Sequence, residues 1–353
     1  MRLKLTFFRL LTISKSYNVC MKVITLVFMI LGCFLGAGFV SGREIASYFS
    51  RFGSSSIFAI IVAGVFFFLC LYLFLRLSEK ADNYSKFISL YFGKYGVIIN
   101  CLFSLSVFIL ISSMIAGTSS IATTLGINQI VFLSITLIIC FFAVSGSDKM
   151  LSKINFILMP IILVIILLVC GVNFEITSSA NGGFFPIVSS TNYVLINIVT
   201  LGLFILEIGH KYTNKQKLIA SIITSLIIMF FMFVINSAIL DNELISTPMP
   251  ILELAKVKGG LMSILTAIVI WCGLFTTIIS CVFILSNFLN KFINNYKLTV
   301  GIILVTALIT SIVGFEFMVS YIYSIIGVIG LIFMIFIIKK ERETTIQIAS
   351  RRK

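Results

Sequence analysis

Between residues 32 and 44 the chain reads Gly-Cys-Phe-Leu-Gly-Ala-Gly-Phe-Val-Ser-Gly-Arg-Glu, with glycine at 32, 36, 38 and 42. Each glycine weakens a helix by about 1 kcal/mol relative to alanine, so a helix through this stretch is expected to break. A break frees backbone groups. The amides of Ala37, Gly38 and Phe39, at the head of the resumed helix, would attract an anionic group such as a carboxylate. Gly32 and Gly36, four residues apart, would also serve close helix packing, but the polar run Ser41-Gly42-Arg43-Glu44 that follows favours the break. A second run, Trp271-Cys-Gly-Leu-Phe-Thr-Thr-Ile-Ile-Ser280, places two hydroxyls side by side. Thr276 and Thr277 either bond back to their own helix carbonyls or supply oxygen ligands to a hard monovalent cation, together with carbonyls exposed at the first break. Two carboxylates, Glu44 and Glu207, fall within apolar runs, where ionisable groups are costly and tend to be functional. Both are candidates for coupling. Glu207 lies three residues before His210-Lys211, so it is expected to snorkel to the surface.

These residues need elements to hold them, and composition decides which. Sixty per cent of the 353 residues are hydrophobic and 11% are charged, against roughly 25% charged in a soluble domain. The solvent must be lipid. The apolar runs are long and continuous rather than alternating, which selects helices over a β-barrel. The spans read as 23–50, 56–75, 95–124, 129–145, 154–171, 192–209, 218–240, 260–289, 298–314 and 317–338. The fold class is therefore all-α integral membrane, with about ten transmembrane helices.

The net charge of +14 suggests nucleic acid until its placement is read. Threaded through these spans, all of the 26 Lys and Arg except Arg43, Arg51, Lys256 and Lys258 fall on one side. The positive-inside rule then places both termini in the cytoplasm. No soluble basic domain is left to bind nucleic acid. The cysteines are scattered without a C-x-x-C pair, and His210 is the single histidine, so no metal site is expected beyond a sodium ion. Met21-Lys22 and the apolar run to Cys33 resemble a lipoprotein signal, but the run continues into the glycine-rich stretch and further spans. Met21 is a second candidate for the start of translation.

An offset of about 165 residues recurs along the chain. Span two maps onto seven, three onto eight, four onto nine and five onto ten. Amphipathic segments 84–92 and 248–256 occupy matching places. Five spans per unit is an odd number, so the second unit is inverted, an arrangement that places a solute site at the repeat interface near the midplane. The organisation is a basic cytoplasmic extension 1–21, a first five-helix repeat 22–172, an extracellular loop 173–191, a second inverted repeat 192–338 and a basic cytoplasmic tail 339–353. Span six should break as span one does. Asn197, Thr200 and Gly202 are the residues that would mark the break, and helix packing explains them equally well.

The run Gly36-Ala-Gly-Phe-Val-Ser-Gly-Arg-Glu44, followed by Phe49 and Arg51-Phe-Gly53, closely resembles the opening of the YkvI-like bacterial membrane proteins. Those look like distant members of the amino acid–polyamine–organocation superfamily, with the LeuT-type fold. The resemblance runs from Met21 to about Lys340 and implies broken helices one and six. It implies that a solute carboxylate binds the backbone of Ala37 and Gly38; Phe39, Asn197 and Gly202 are further candidates for the substrate pocket. It also implies a sodium site at the carbonyls of Gly32, Leu35 and Gly273 and the hydroxyls of Thr276 and Thr277. Phe39 stands where related sodium-coupled proteins carry an asparagine that holds a second sodium, so that second site is not expected. Glu207 stands where YkvI-like sequences are expected to carry proline.

The function that follows is a cation-coupled symporter, driven by sodium or protons, for a small-molecule substrate, an amino acid being the expected class. Spans 1, 2, 6 and 7 would rock against 3, 4, 8 and 9, with 84–92 and 248–256 as inner and outer latches. Ser112, Ser113, Tyr193 and Asn197 are candidates to line the pocket. The alternative is a receptor that keeps a transporter fold, as germinant-receptor-like permease subunits do. No nucleophile–base cluster suggests an enzyme, and no filter motif suggests a channel. The expected location is the bacterial cytoplasmic membrane, in contact with the lipid bilayer. No cofactor is expected apart from sodium or a proton as coupling ion, and a homo-oligomer stays open.

Overall fold

In the computed structural model, residues 20–81, 84–144, 148–171, 184–240 and 242–351 are described, and every regular element among them is helical. Most of the basic extension and residues 173–183 of the expected extracellular loop lie outside the described residues. The first apolar helix, α1, spans Cys20–Phe34. It stops at the glycine-rich stretch and gives way to two short helices, α2 (Ala37–Val40) and α3 (Arg43–Tyr48). The first half continues with α4 (Ser55–Leu77), α5 (Tyr84–Phe92), α6 (Gly96–Leu125), α7 (Gln129–Val144) and α8 (Asp148–Cys170). The second half comprises α9 (Phe185–Ile208), α10 (Asn214–Ile239), α11 (Asn242–Ile245), α12 (Pro250–Val257), α13 (Gly260–Ile293) and α14 (Tyr296–Thr310). Two last helices, α15 (Phe315–Phe317) and α16 (Tyr323–Arg351), are joined through a π-helical turn at Met318–Ile322.

Among the described residues six helices are long and apolar enough to cross a membrane, and α9 with its extension to Lys211 makes a seventh if its bent halves are taken together. Three shorter apolar helices, Cys20–Phe34, Gln129–Val144 and Ile157–Cys170, fall where spans one, four and five are expected. The outward faces are apolar: Val97 is 72% exposed, Ile130 76% and Ile312 84%. In water such a surface would be an aggregation liability; here it meets lipid chains.

The two halves are inverted copies. α7 packs on α13 and α14 packs on α6, the reciprocal contacts that such halves make, and α6 packs along α13 itself. The expected amphipathic segments are helices. α5 turns Phe87 and Ile88 inward and leaves Leu90 exposed, while α12 buries Ile251, Leu252 and Ala255 and leaves Val257 exposed. Two boundaries differ from the sequence reading. α9 begins at Phe185, with Pro186 in its first turn, where proline costs no hydrogen bond, so residues 185–191 belong to a helix rather than to the expected loop. The expected tail from 339 continues α16 as far as Arg351.

Candidate functional site

The break in the first span is where the glycines place it, at Leu35 and Gly36. The Gly36 N–H bonds the carbonyl of Phe34, not that of Gly32, and the Phe39 N–H bonds Gly36, not Leu35. The carbonyls of Gly32 and Leu35 therefore lose their regular ladder partners. α2 opens with the N–H groups of Ala37 and Gly38, which as a helix's first turn have no ladder partner either. Gly42, at φ +81°, then takes the left-handed conformation that glycine tolerates best, and α3 starts in a new direction.

The break lies against α13. A Cβ placed on Gly36 would lie 3.5 Å from Thr277 Oγ1, and one placed on Gly273 would lie 3.5 Å from the Leu35 oxygen and 3.1 Å from Val40 Cγ2. Gly273 is thus a point of close approach between α13 and the break. Thr276 and Thr277 are buried and donate to the Gly273 carbonyl at 3.1 Å and 2.9 Å. These are the bonds to the helix's own carbonyl that one sequence reading expects, and a hydroxyl that donates its proton in this way keeps its lone pairs. The Gly273 carbonyl, already accepting from two hydroxyls, is a poor further ligand. The Leu35 carbonyl and Thr277 Oγ1 both lie at the seam between the break and α13, and the Gly32 carbonyl is released one turn earlier.

On the other side of the break lies an aromatic and acidic cluster. Glu44 is buried, and its side chain folds back so that a Cβ on Gly38 would strike the carboxyl group. Its Oε2 has no hydrogen-bond partner, and the phenol of Tyr193 from α9 lies against that carboxyl. The ring of Tyr193 is packed by Phe49 at 5.2 Å, Tyr48 at 5.6 Å and Phe34 at 6.3 Å between centroids, and Phe34 in turn meets Phe39 at 5.4 Å and Phe67 at 5.0 Å. The position over Gly38, where the resemblance places a solute carboxylate, is taken by a carboxyl of the chain itself.

Arg43 does not pair with its neighbour Glu44. It donates to the carbonyls of Ile245 and Thr247 at 3.0 Å each, to Glu316 Oε1 at 3.0 Å and to Ser320 Oγ at 2.9 Å. α3 is thereby tied to α11 and to the π-helical turn, whose Val319 carbonyl also accepts from the Tyr48 hydroxyl at 3.2 Å. π turns commonly occur at functional sites. The sequence reading leaves Glu316 in a turn and attaches no role to it; a lone acid at a span boundary carries no signal of a partner far away in the chain. α12 closes over the same end, its Ile251 N–H bonding the Ser41 carbonyl at 2.9 Å.

The remaining candidates are spread out. α9 bends by 42° between Val199 and Leu201, so span six is interrupted where it is expected to be, by a bend rather than by an unwound stretch. Asn197 donates back to the Tyr193 carbonyl at 3.0 Å. A Cβ on Gly202 would come within 2.6 Å of the Phe74 ring, so close packing of α9 on α4 accounts for this glycine. Ser112 bonds Thr310 at 2.6 Å, and Ser113 accepts from Tyr323 at 3.0 Å; the first is a helix-to-helix tie. Glu207 is exposed, far from Glu44 in environment. It lines a cavity of about 260 Å³ between α6, α9 and α13, together with Ser104, Phe103, Asn287, Phe288 and Lys291.

Over 327 residues, 88% of this chain and 93% of its own, the protein from Bacillus subtilis (strain 168) called "Uncharacterized membrane protein YkvI" is 25% identical. A second protein of that organism, "Uncharacterized protein YyaD", is 24% identical over 87% of this chain and 93% of its own. This chain is thus similar to both over most of its length. No family model matches it. Among solved structures, MhsT in complex with L-phenylalanine superposes with a TM-score of 0.67 at 11% identity, over 88% of each chain. MHP1, a nucleobase-cation-symport-1 family transporter in a closed conformation with bromovinylhydantoin bound, gives 0.55 at 14% identity, over 81% of this chain and 70% of its own. This chain therefore has the LeuT-type fold, which the broken first span already indicates.

Proposed function

We propose that this chain is a secondary active transporter of the bacterial cytoplasmic membrane, with both termini in the cytoplasm. It carries a small solute bearing an amino group, an amino acid by the resemblance, and couples that movement to a monovalent cation. One observation carries the reading: the first span breaks at Leu35–Gly36, and the break lies against α13 of the other half, with the Leu35 carbonyl beside Gly273 and the Thr277 hydroxyl beside Gly36. Non-helical backbone at membrane depth is tolerated only where protein or a cavity satisfies its polar groups, and a ring of uncharged oxygens suits a hard monovalent ion. A cation held by Leu35, Thr277 and Gly32 would bridge the two halves and bias which end is open. The solved structures of this fold support the reading, since one is named a cation symporter and another holds an amino acid. Glu44 supports a second mode, coupling to protons, because its carboxyl is buried with one oxygen unpartnered.

Uptake into proteoliposomes tests this. A mixed pool of labelled amino acids and amines is presented under a sodium gradient, under a proton gradient and under neither. Sodium-driven accumulation is the expected result. Accumulation driven by protons alone transfers coupling to Glu44. A folded protein that moves no solute under any gradient ends the transporter reading and leaves that of a receptor with a transporter fold.

A further inference from the structure

Resting on the transporter reading, we infer that the group of the solute held in this site is its ammonium, that Glu44 holds it, and that the solute is an organic amine without a carboxylate. The argument starts with what Glu44 lacks. A buried carboxylate is costly unless paired and hydrogen-bonded, yet Glu44 Oε2 has no partner and Glu44 is only 6% exposed. The adjacent base offers none, because Arg43 directs its guanidinium at Ile245, Thr247, Glu316 and Ser320. The ionisable side chains that act on Glu44 from the packed elements are phenols: Tyr193 of α9, Tyr48 of α3 and Tyr323 of α16. None of them is a cation. A ligand that brings a positive charge and N–H donors would supply the counter-charge that these phenols lack and a partner for Oε2.

The surroundings suit an organic cation. Phe34, Phe39, Phe49 and Tyr48 pack around Tyr193 beside the Glu44 carboxyl, and aromatic faces attract ammonium groups. The same geometry disfavours a carboxylate. The position over Gly38 is filled by the Glu44 carboxyl, and a second carboxylate there would meet both the atoms and the charge of the first. The amino acid that the fold resemblance suggests thus loses the partner for its acid end and keeps the partner for its amine.

The test uses matched pairs that differ only in the carboxylate: phenethylamine with phenylalanine, isoamylamine with leucine, and agmatine with arginine. Binding to the purified full-length protein is read as the shift in unfolding temperature and as a titrated Kd. In at least one pair the amine is expected to bind ten-fold or more tighter than its amino acid, and Glu44→Gln, which keeps shape and removes charge, is expected to weaken that binding at least ten-fold. Tyr193→Phe, which keeps the ring, is expected to weaken it several-fold, and it tests the same contact should Glu44→Gln fail to fold. Three results overturn the inference: an amino acid that binds where its amine does not, amine binding indifferent to both substitutions, or no binding by any amine. Each is separable from the fate of the transporter reading. A protein that accumulates amino acids under a gradient and ignores amines keeps that reading and loses this one; one that binds amines and moves nothing does the reverse.

Discussion

At the scale of single residues, the two threonines of α13 are not equivalent. Thr277 faces the break, with its hydroxyl 3.5 Å from where a Gly36 Cβ would stand, and Thr276 is rotated along the helix by one residue. Thr277→Val removes the oxygen and keeps the shape. It is expected to raise the sodium concentration for half-maximal uptake at least ten-fold, while Thr277→Ser restores it and Thr276→Val changes it less than three-fold. Sodium titrations of uptake in the three variants check this, and equal effects at both positions would remove Thr277 from the cation site. Stability should barely respond, because the lost bond runs to Gly273 within the same helix and such bonds are worth about 0.5–1.5 kcal/mol. Gly38→Ala probes the other side of the break. Its new Cβ meets the Glu44 carboxyl, the far end of a flexible side chain, so the protein should fold and the carboxyl should be displaced. Amine binding is expected to fall about as far as in Glu44→Gln, a comparison that titration of both variants settles.

At the scale of elements, the ion pair between α10 and the end of α4 gives a prediction with a sign. Lys217 Nζ lies 2.8 Å from Glu79 Oε1, with the lysine side chain fully buried and the glutamate 43% exposed. The positive-inside count treats Lys217 as one more interfacial charge; the structure shows it inside. Removing Glu79 strands a buried ammonium, whereas replacing the lysine by an apolar side chain of similar length removes the cost of burying it. Glu79→Ala should therefore lower the unfolding temperature clearly more than Lys217→Met, and the reverse order in thermal unfolding would show that the lysine is hydrated. How far elements are legible in sequence follows from the same locality. Four glycines within a few residues announce the break in span one, and alternating faces announce α5 and α12, because backbone preference and amphipathic pattern are local. The bend in α9 has no such mark, since Asn197 bonds back to its own helix and Gly202 answers to Phe74 on α4. The tie from Arg43 to Glu316 and to the π-helical turn joins residues 273 positions apart, and the fold-back of Glu44 onto Gly38 depends on how α3 leaves Gly42. Neither can be seen until the chain is packed.

At the scale of the whole molecule, the two ends of the bundle differ. One end is shut: α12 lies over Gly42, and Arg43 ties α3 to α11 and to the π-helical turn by four hydrogen bonds. The other, near His210 and Lys211, carries the cavity lined by Glu207, Asn287 and Lys291. In a protein whose halves rock about a central site, loosening the shut end should shift the population away from the form that opens the other. The prediction uses Asn287→Cys in a chain whose exposed Cys20 and Cys101 are first replaced by serine. A membrane-impermeant maleimide is expected to label it in inverted vesicles and not in whole cells, since the basic end is proposed to be cytoplasmic. Adding Arg43→Gln, which removes the charge from the opposite end, should slow that labelling several-fold although the two residues are at opposite ends of the bundle. Labelling in whole cells alone would invert the proposed orientation. Labelling from the cytoplasmic side at a rate indifferent to Arg43→Gln would mean that the two ends open independently, and a transporter of this fold cannot work that way, because both ends open together would let solute and cation run down their gradients uncoupled.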